Sequence, residues 1–158
     1  MDTRKISREM WNNIHTAKHY LGTFPADKLP PHPSKNTCFI SNTDPHTQPG
    51  QHWVAVYVDN RCTPHYFDPY GLPPITAYHL QFLNGAPRGR WYFNTKQVQS
   101  TRSKNCGKHC INFLKRSCRT KDPKGVVTFY ASCSVQLTDR TLNRGMGIVS
   151  RTAADVKK

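Results

Sequence analysis

Lys104–Leu114 reads KNCGKHCINFL, two cysteines and a histidine packed against the start of an apolar run. Three readings are open for it: a metal site, a pair of structural thiols, or a nucleophile at the mouth of a helix. From Cys106 onward, Cys110, Ile111, Leu114 and Cys118 recur at three- and four-residue steps, which on a helix puts them on one face. Asn105 stands before them as a predicted N-cap, so a core helix is expected to begin at Cys106. A thiol in the first turn feels the positive end of the helix dipole and the unbonded N–H groups there, both of which favour thiolate. Gly107 leaves the neighbouring backbone accessible. Cys110 and Cys118 read as core residues, since cysteine is among the most buried residue types.

Working outward, the segments upstream have the period and composition of strands. TCFISNT and QHWVAVYVDN are β-branched and aromatic, are separated by the turn-rich DPHTQPG, and read as neighbouring strands. PHYFDPYGLPP reads as a third strand ending in a Pro-Gly turn, Ile75–Leu83 as a short helix, and Arg90–Val98 as a fourth strand. Nearer the N-terminus, Ser7–Tyr20 places Met10, Trp11, Ile14, Ala17 and Lys18 at helical spacing with Ser7 as the cap. PADKLPPHPSKN carries too many prolines for regular structure and reads as a surface loop.

The 158-residue length suits one domain, expected over residues 1–149, with 150–158 (SRTAADVKK) as a flexible tail. No secretory signal or membrane-spanning run is legible, so a soluble, intracellular, reducing setting with few or no disulfides is expected. Charge is the strongest compositional signal. Twenty-three Lys and Arg face nine acidic residues, Glu9 being the sole glutamate, and the net charge is +14. Such a chain seeks polyanions, nucleic acid above all.

A catalytic thiol needs a base, and the base an orienting partner. Among eight histidines, His52 is distinguished because it opens the strand HWVAVYVD, a rigid element that can aim an imidazole. Asp68 ends the next strand in HYFDPYG, and antiparallel pairing of the two strands would bring its carboxylate to the ring. Spacing alone leaves the bland alternatives open: a structural or solvated strand-edge histidine, and an aspartate that only makes a turn.

YLGTFPADKLP, SNTD, QHWVAVYVD, HYFDPYGLPP and VQSTRSKNCGKHC, in that order, resemble the adenovirus maturation protease (adenain) family, including the related proteases of Maverick/Polinton elements and their virus relatives. The likeness runs from about Tyr20 to Leu114. It implies an α+β fold of the papain-like, ubiquitin-like-protein-protease type, with a central mixed β-sheet flanked by helices and the nucleophile at the N-terminus of a core helix. It implies His52 as general base, Asp68 as orienting acid where the adenovirus enzyme has glutamate, Cys106 as nucleophile and Gln99 as side-chain oxyanion donor. Gln97 is the rival donor, two positions away. Trp53 is expected to form a wall of the site and to meet the imidazolium with its ring face, or to be a plain core tryptophan.

The function implied is that of a viral cysteine endopeptidase, cleaving capsid and core precursor proteins during virion maturation, as a monomer, in the virion and host nucleus. DNA, bound without sequence preference, and a viral peptide are the activators the resemblance suggests, with no metal and no membrane partner. A disulfide link to that peptide is doubtful, because no cysteine lies between Cys62 and Cys106. Two rivals remain. A protease of ubiquitin-like modifiers shares the catalytic order, and cleavage of a ubiquitin-like precursor would reveal it. A zinc-binding nucleic-acid module would use Cys106, His109, Cys110 and Cys118, a spacing unlike ordinary zinc ligand sets.

Overall fold

The computed structural model describes residues 1–98, 104–126 and 130–134. Its centre is a six-stranded mixed sheet in chain order: β1 (Tyr20–Phe24), β2 (Thr37–Asn42), β3 (Trp53–Val58), β4 (Pro64–Phe67), β5 (Arg90–Asn94) and β6 (Tyr130–Ser134). The β1–β2 and β4–β5 pairs are parallel, the others antiparallel. Helices α1 (Thr3–Asn12), α2 (Ala77–Asn84), α3 (Cys106–Thr120) and the short α4 (Pro123–Val126) complete an α+β architecture.

The central strand β3, WVAVYV, is the hinge of the packing because both of its faces are covered. Ala55 and Tyr57 face a core shared with Cys38, Ile40 and Phe67 and closed by α1 and α3 through Ile6, Met10, Cys110, Ile111 and Leu114. Val54, Val56 and Val58 face the other core, with Phe39, Tyr66, Trp91 and Phe93, closed by Phe82 and Leu83 of α2. Side chains alternate along a strand, so one hydrophobic run without polar positions serves two layers. Phe113 of α3 stacks on Phe67 at 4.5 Å between centroids, and Leu114 is fully buried. Truncating Leu114 to alanine would cost about 2–5 kcal/mol, the range for deleting such a side chain from a close-packed interior.

Several elements differ from the sequence reading. Helix α1 begins at Thr3, four residues before Ser7, because Asp2 caps it by accepting the Lys5 N–H at 2.9 Å. It ends at Asn12, where the Asn13 side chain takes the His15 and Thr16 N–H groups, a local bond that competes with the helix ladder. Ser7 is therefore an interior residue of α1 and bonds Thr23 of β1 at 2.8 Å. Ile14, expected on the apolar face, is 82% exposed. Strand β1 carries no strand periodicity of its own and forms by pairing with β2. β5 stops at Asn94 rather than Val98, since Asn94 turns its side chain to the neighbouring strand end. Residues 150–158, read as a tail, lie outside the described residues.

Candidate active site

His52 lies one residue before β3, Asp68 one residue after β4, and Cys106 is the first residue of α3. The β3–β4 register, Ala55 opposite Phe67, carries the two strand ends past each other and sets His52 against the Asp68-Pro69-Tyr70 turn. His52 Nε2 lies 2.9 Å from Asp68 Oδ1. That contact assigns Nε2 to the carboxylate and leaves Nδ1 as the ring nitrogen available to the Cys106 thiol, which is near enough to His52 for each to shift the other's titration. Trp53 is tied to α3 by the Cys110 thiol, which donates to its carbonyl at 3.3 Å. Cys110 thus docks the start of β3 on the helix one turn beyond the nucleophile.

Asp68 is held from three sides. Its Oδ1 also accepts the Tyr70 N–H at 2.8 Å. The fully buried Asn94 accepts the Asp68 N–H at 2.8 Å and returns a hydrogen bond from Nδ2 to the Asp68 carbonyl at 2.8 Å. The Tyr70 ring stacks on His52 at 4.7 Å between centroids. Gly71 closes the turn with its N–H on the Asp68 carbonyl at 2.8 Å and a left-handed φ of 71°, a conformation open to glycine at little cost. A Cβ there would approach Gln97 N and Lys96 C within 2.8 Å. The segment after β5 is thereby packed on the turn, and Val98 donates to the Pro69 carbonyl at 2.8 Å.

Electrostatics follow from these contacts. Burial works against a charged His52, but its bonds to Asp68 and Cys106 raise it to about 9. Burial pushes the Cys106 thiol up, yet the His52 bond and the Trp53 and Gly107 N–H groups bring it below its ordinary value. Both shifts favour an imidazolium–thiolate pair over two neutral groups, and Cys106 is only 8% exposed. Cys110 goes the opposite way, its thiol held well above the ordinary range by complete burial. Asn105 occupies the N-cap position of α3 without a side-chain cap bond to the helix, which leaves the first-turn N–H groups to the site.

Trp53 is half-buried against the α3-side core and donates its indole N–H to the Met1 carbonyl at 3.1 Å. The aromatic ring stacked on His52 is that of Tyr70, while Trp53 packs against the core, the second of the two places expected for it. A cleft of about 430 Å³ runs from Trp53 past Thr23, Asn42, Asp44 and Gly50. A larger hollow of about 580 Å³, between α1 and Lys115, lies apart from His52, Asp68 and Cys106. Gln97 is exposed, whereas Gln99 lies outside the described residues.

Sequence reasoning missed Tyr70 and Asn94. Tyr70 was visible only as part of FDPYG, and Asn94 only as a polar residue closing a strand. Of the zinc-module set, Cys110 points to the Trp53 carbonyl and Cys118 to Cys38, Sγ to Sγ 3.8 Å. Those thiols do not converge, and among the described residues no group of three His, Cys, Asp or Glu side chains could hold a metal ion. Nor is any helix among them long and apolar enough to cross a membrane. No protein-family model matches the chain, and no curated protein matches it in sequence.

Proposed function

We propose that the chain is a cysteine endopeptidase of the papain-like kind, related to the adenovirus maturation proteases and acting on viral precursor proteins. The observation that carries this reading is the His52 ring, bonded to Asp68 through Nε2 at 2.9 Å and near enough to a thiol at a helix start to lower that thiol's pKa. A buried structural histidine has no need of a carboxylate on one side and a thiol of lowered pKa on the other. Perturbed titrations brought together in this way are what nucleophilic catalysis requires.

His52 Nδ1 takes the Cys106 proton, and the thiolate attacks the scissile carbonyl carbon to form a C–S bond. The oxyanion is held by the Cys106 N–H, which has no partner within the helix, and by the Gln99 side chain. Collapse breaks the C–N bond, and the leaving amine takes the proton from Nδ1. Water, deprotonated by the same nitrogen, then hydrolyses the thioester and restores the thiol. Asp68 keeps the ring oriented and stabilises its charged form throughout.

The +14 charge supports non-sequence-specific DNA as a partner in the virion and host nucleus, with affinity falling steeply as salt rises. Peptide cleavage with and without duplex DNA, at about 50 and about 200 mM salt, tests whether DNA raises the rate or only tethers the enzyme. Labelling with a peptide bearing a thiol-reactive warhead, followed by peptide mapping, tests the enzyme itself. The adduct is expected on Cys106 alone. An adduct on Cys62, or none on the folded protein, overturns the reading.

A further inference from the structure

The end of the sheet opposite His52 carries a second concavity, of about 420 Å³, lined by Arg61, Arg88, Arg90, Lys124 and Tyr92. Its cations come from three separate places in the chain. Arg61 lies in the β3–β4 turn, Arg88 and Arg90 flank the turn that enters β5, and Lys124 lies in α4. Each turn is stiffly built. Asp59 accepts the Arg61 and Thr63 N–H groups through Oδ1 at 2.8 and 3.0 Å, while its Oδ2 meets His65 Nε2 at 3.0 Å. In the other turn Gly89, with φ of 63°, donates to the Ala86 carbonyl at 2.9 Å.

The one carboxylate lining the hollow is therefore engaged by its own turn and by His65. The ion pairs among the described residues are His46–Asp27, His52–Asp68, His65–Asp59 and Lys115–Glu9, so Arg61, Arg88 and Arg90 have no carboxylate partner there. Lys124 Nζ sits 3.6 Å over the Tyr92 ring. Gathering four cations around one hollow raises the energy of the free protein by mutual repulsion. A chain with a merely basic surface would spread them over convex ground, where water screens each one.

We propose that this hollow is a binding site for a compact ligand carrying several phosphates, of the inositol-polyphosphate or nucleoside-triphosphate class. The proposal is independent of the protease reading, since it concerns other residues at the other end of the sheet. Arginine forks match phosphate oxygens in pairs, and rigid turns lose little freedom on engaging them. The walls hold positive charge on several sides, which suits a dense anion that enters rather than a chain that passes. A DNA duplex is wider than the hollow and could only straddle its rim.

The test is titration calorimetry on the full chain at about 150 mM salt, with inositol hexakisphosphate, ATP, inorganic phosphate and duplex DNA in parallel. Saturable one-to-one binding of hexakisphosphate or ATP is expected, and the tighter of the two identifies the class. Arg88→Ala/Arg90→Ala should weaken it by about tenfold or more, in keeping with the loss of charge-assisted bonds. Arg4→Ala/Arg8→Ala, which removes the same charge from α1, should leave it nearly unchanged. Lys124→Ala and Arg61→Ala singly guard against loss of fold in the double variant, and each should weaken binding on its own. Equal weakening by the two double variants would reduce the effect to net charge and overturn the proposal. It is equally overturned if no small polyphosphate saturates, or if DNA binds while hexakisphosphate neither binds nor competes.

Discussion

Replacing Asp68 by asparagine removes a charge and almost nothing else. The amide has the same shape, and its oxygen can still accept from His52 Nε2 and the Tyr70 N–H, bonds of 2.9 and 2.8 Å in the parent. What disappears is the attraction between carboxylate and imidazolium. At this separation it is worth about 4–6 kcal/mol before desolvation, with an effective dielectric of about 20. Burial opposes the charged ring, and the net effect of the His52 surroundings is a rise from 6.5 to about 9. With the carboxylate gone the imidazolium is less stable, so His52 gives up its proton at lower pH, while the Cys106 thiol, next to one negative charge fewer, becomes no harder to ionise. His52 should therefore titrate about 1–2 pH units lower, within the range an adjacent opposite charge commands. NMR titration of the His52 ring in parent and Asp68→Asn reads this without a substrate, and iodoacetamide labelling from about pH 4 to about pH 10, with Cys106→Ser identifying the adduct, reads the thiolate separately. A parent labelling profile that rises only at the ordinary thiol value would refute the ion pair. An unchanged His52 titration in Asp68→Asn would refute the role of the carboxylate.

Cys106→Ala should abolish peptidase activity, whereas Cys110→Ala should keep a large part of it while losing about 1–2 kcal/mol of stability from a smaller side chain and the lost bond to Trp53; equal inactivation of two folded variants would contradict this. Gln99→Ala should lower kcat by about 10²–10³, as removal of one oxyanion donor does; if Gln97→Ala carries that loss instead, the register of the proposed donor is wrong by two. His79, almost fully buried between Ser41 and Thr76, should make the fold acid-sensitive. Burial lowers it from 6.5 to about 4, so the folded state favours the neutral ring. Its contribution is complete above pH 6.5 and is lost as pH falls toward 4, amounting to about 3 kcal/mol at roughly 1.4 kcal/mol per unit. Urea midpoints measured from pH 7.5 to 4 should fall accordingly, and His79→Gln, which cannot titrate, should flatten that slope.

Periodicity by itself determined those elements whose burial is decided locally. The apolar face of α3 with Cys106 at its start, the strands at Thr37–Asn42 and Trp53–Val58, and α2 within two residues of Ile75–Leu83 were all legible. A helix stripe or a strand run reports the environment of its own residues, and nothing distant has to be known. β1 was not legible, because the short YLGTF, with a glycine inside it, becomes a strand only by pairing with β2. The limits of α1 depended on which of two polar side chains, Asp2 or Ser7, turned back to cap it.

The site divides along the same line. Residue types and order nominated His52, Asp68 and Cys106, but their meeting rests on the β3–β4 register and on the docking of α3 against β3 through Cys110 and Trp53. Tyr70 and Asn94 enter because one follows Asp68 round a turn and the other ends a strand paired in parallel with β4. The hollow of Arg61, Arg88, Arg90 and Lys124 is likewise a product of the crossovers, gathered from turns far apart in the chain. A sequence shows which side chains can titrate or carry charge. Distances of a few ångströms between residues that lie tens of positions apart are decided by strand pairing and helix packing, and only these turn ordinary side chains into a site.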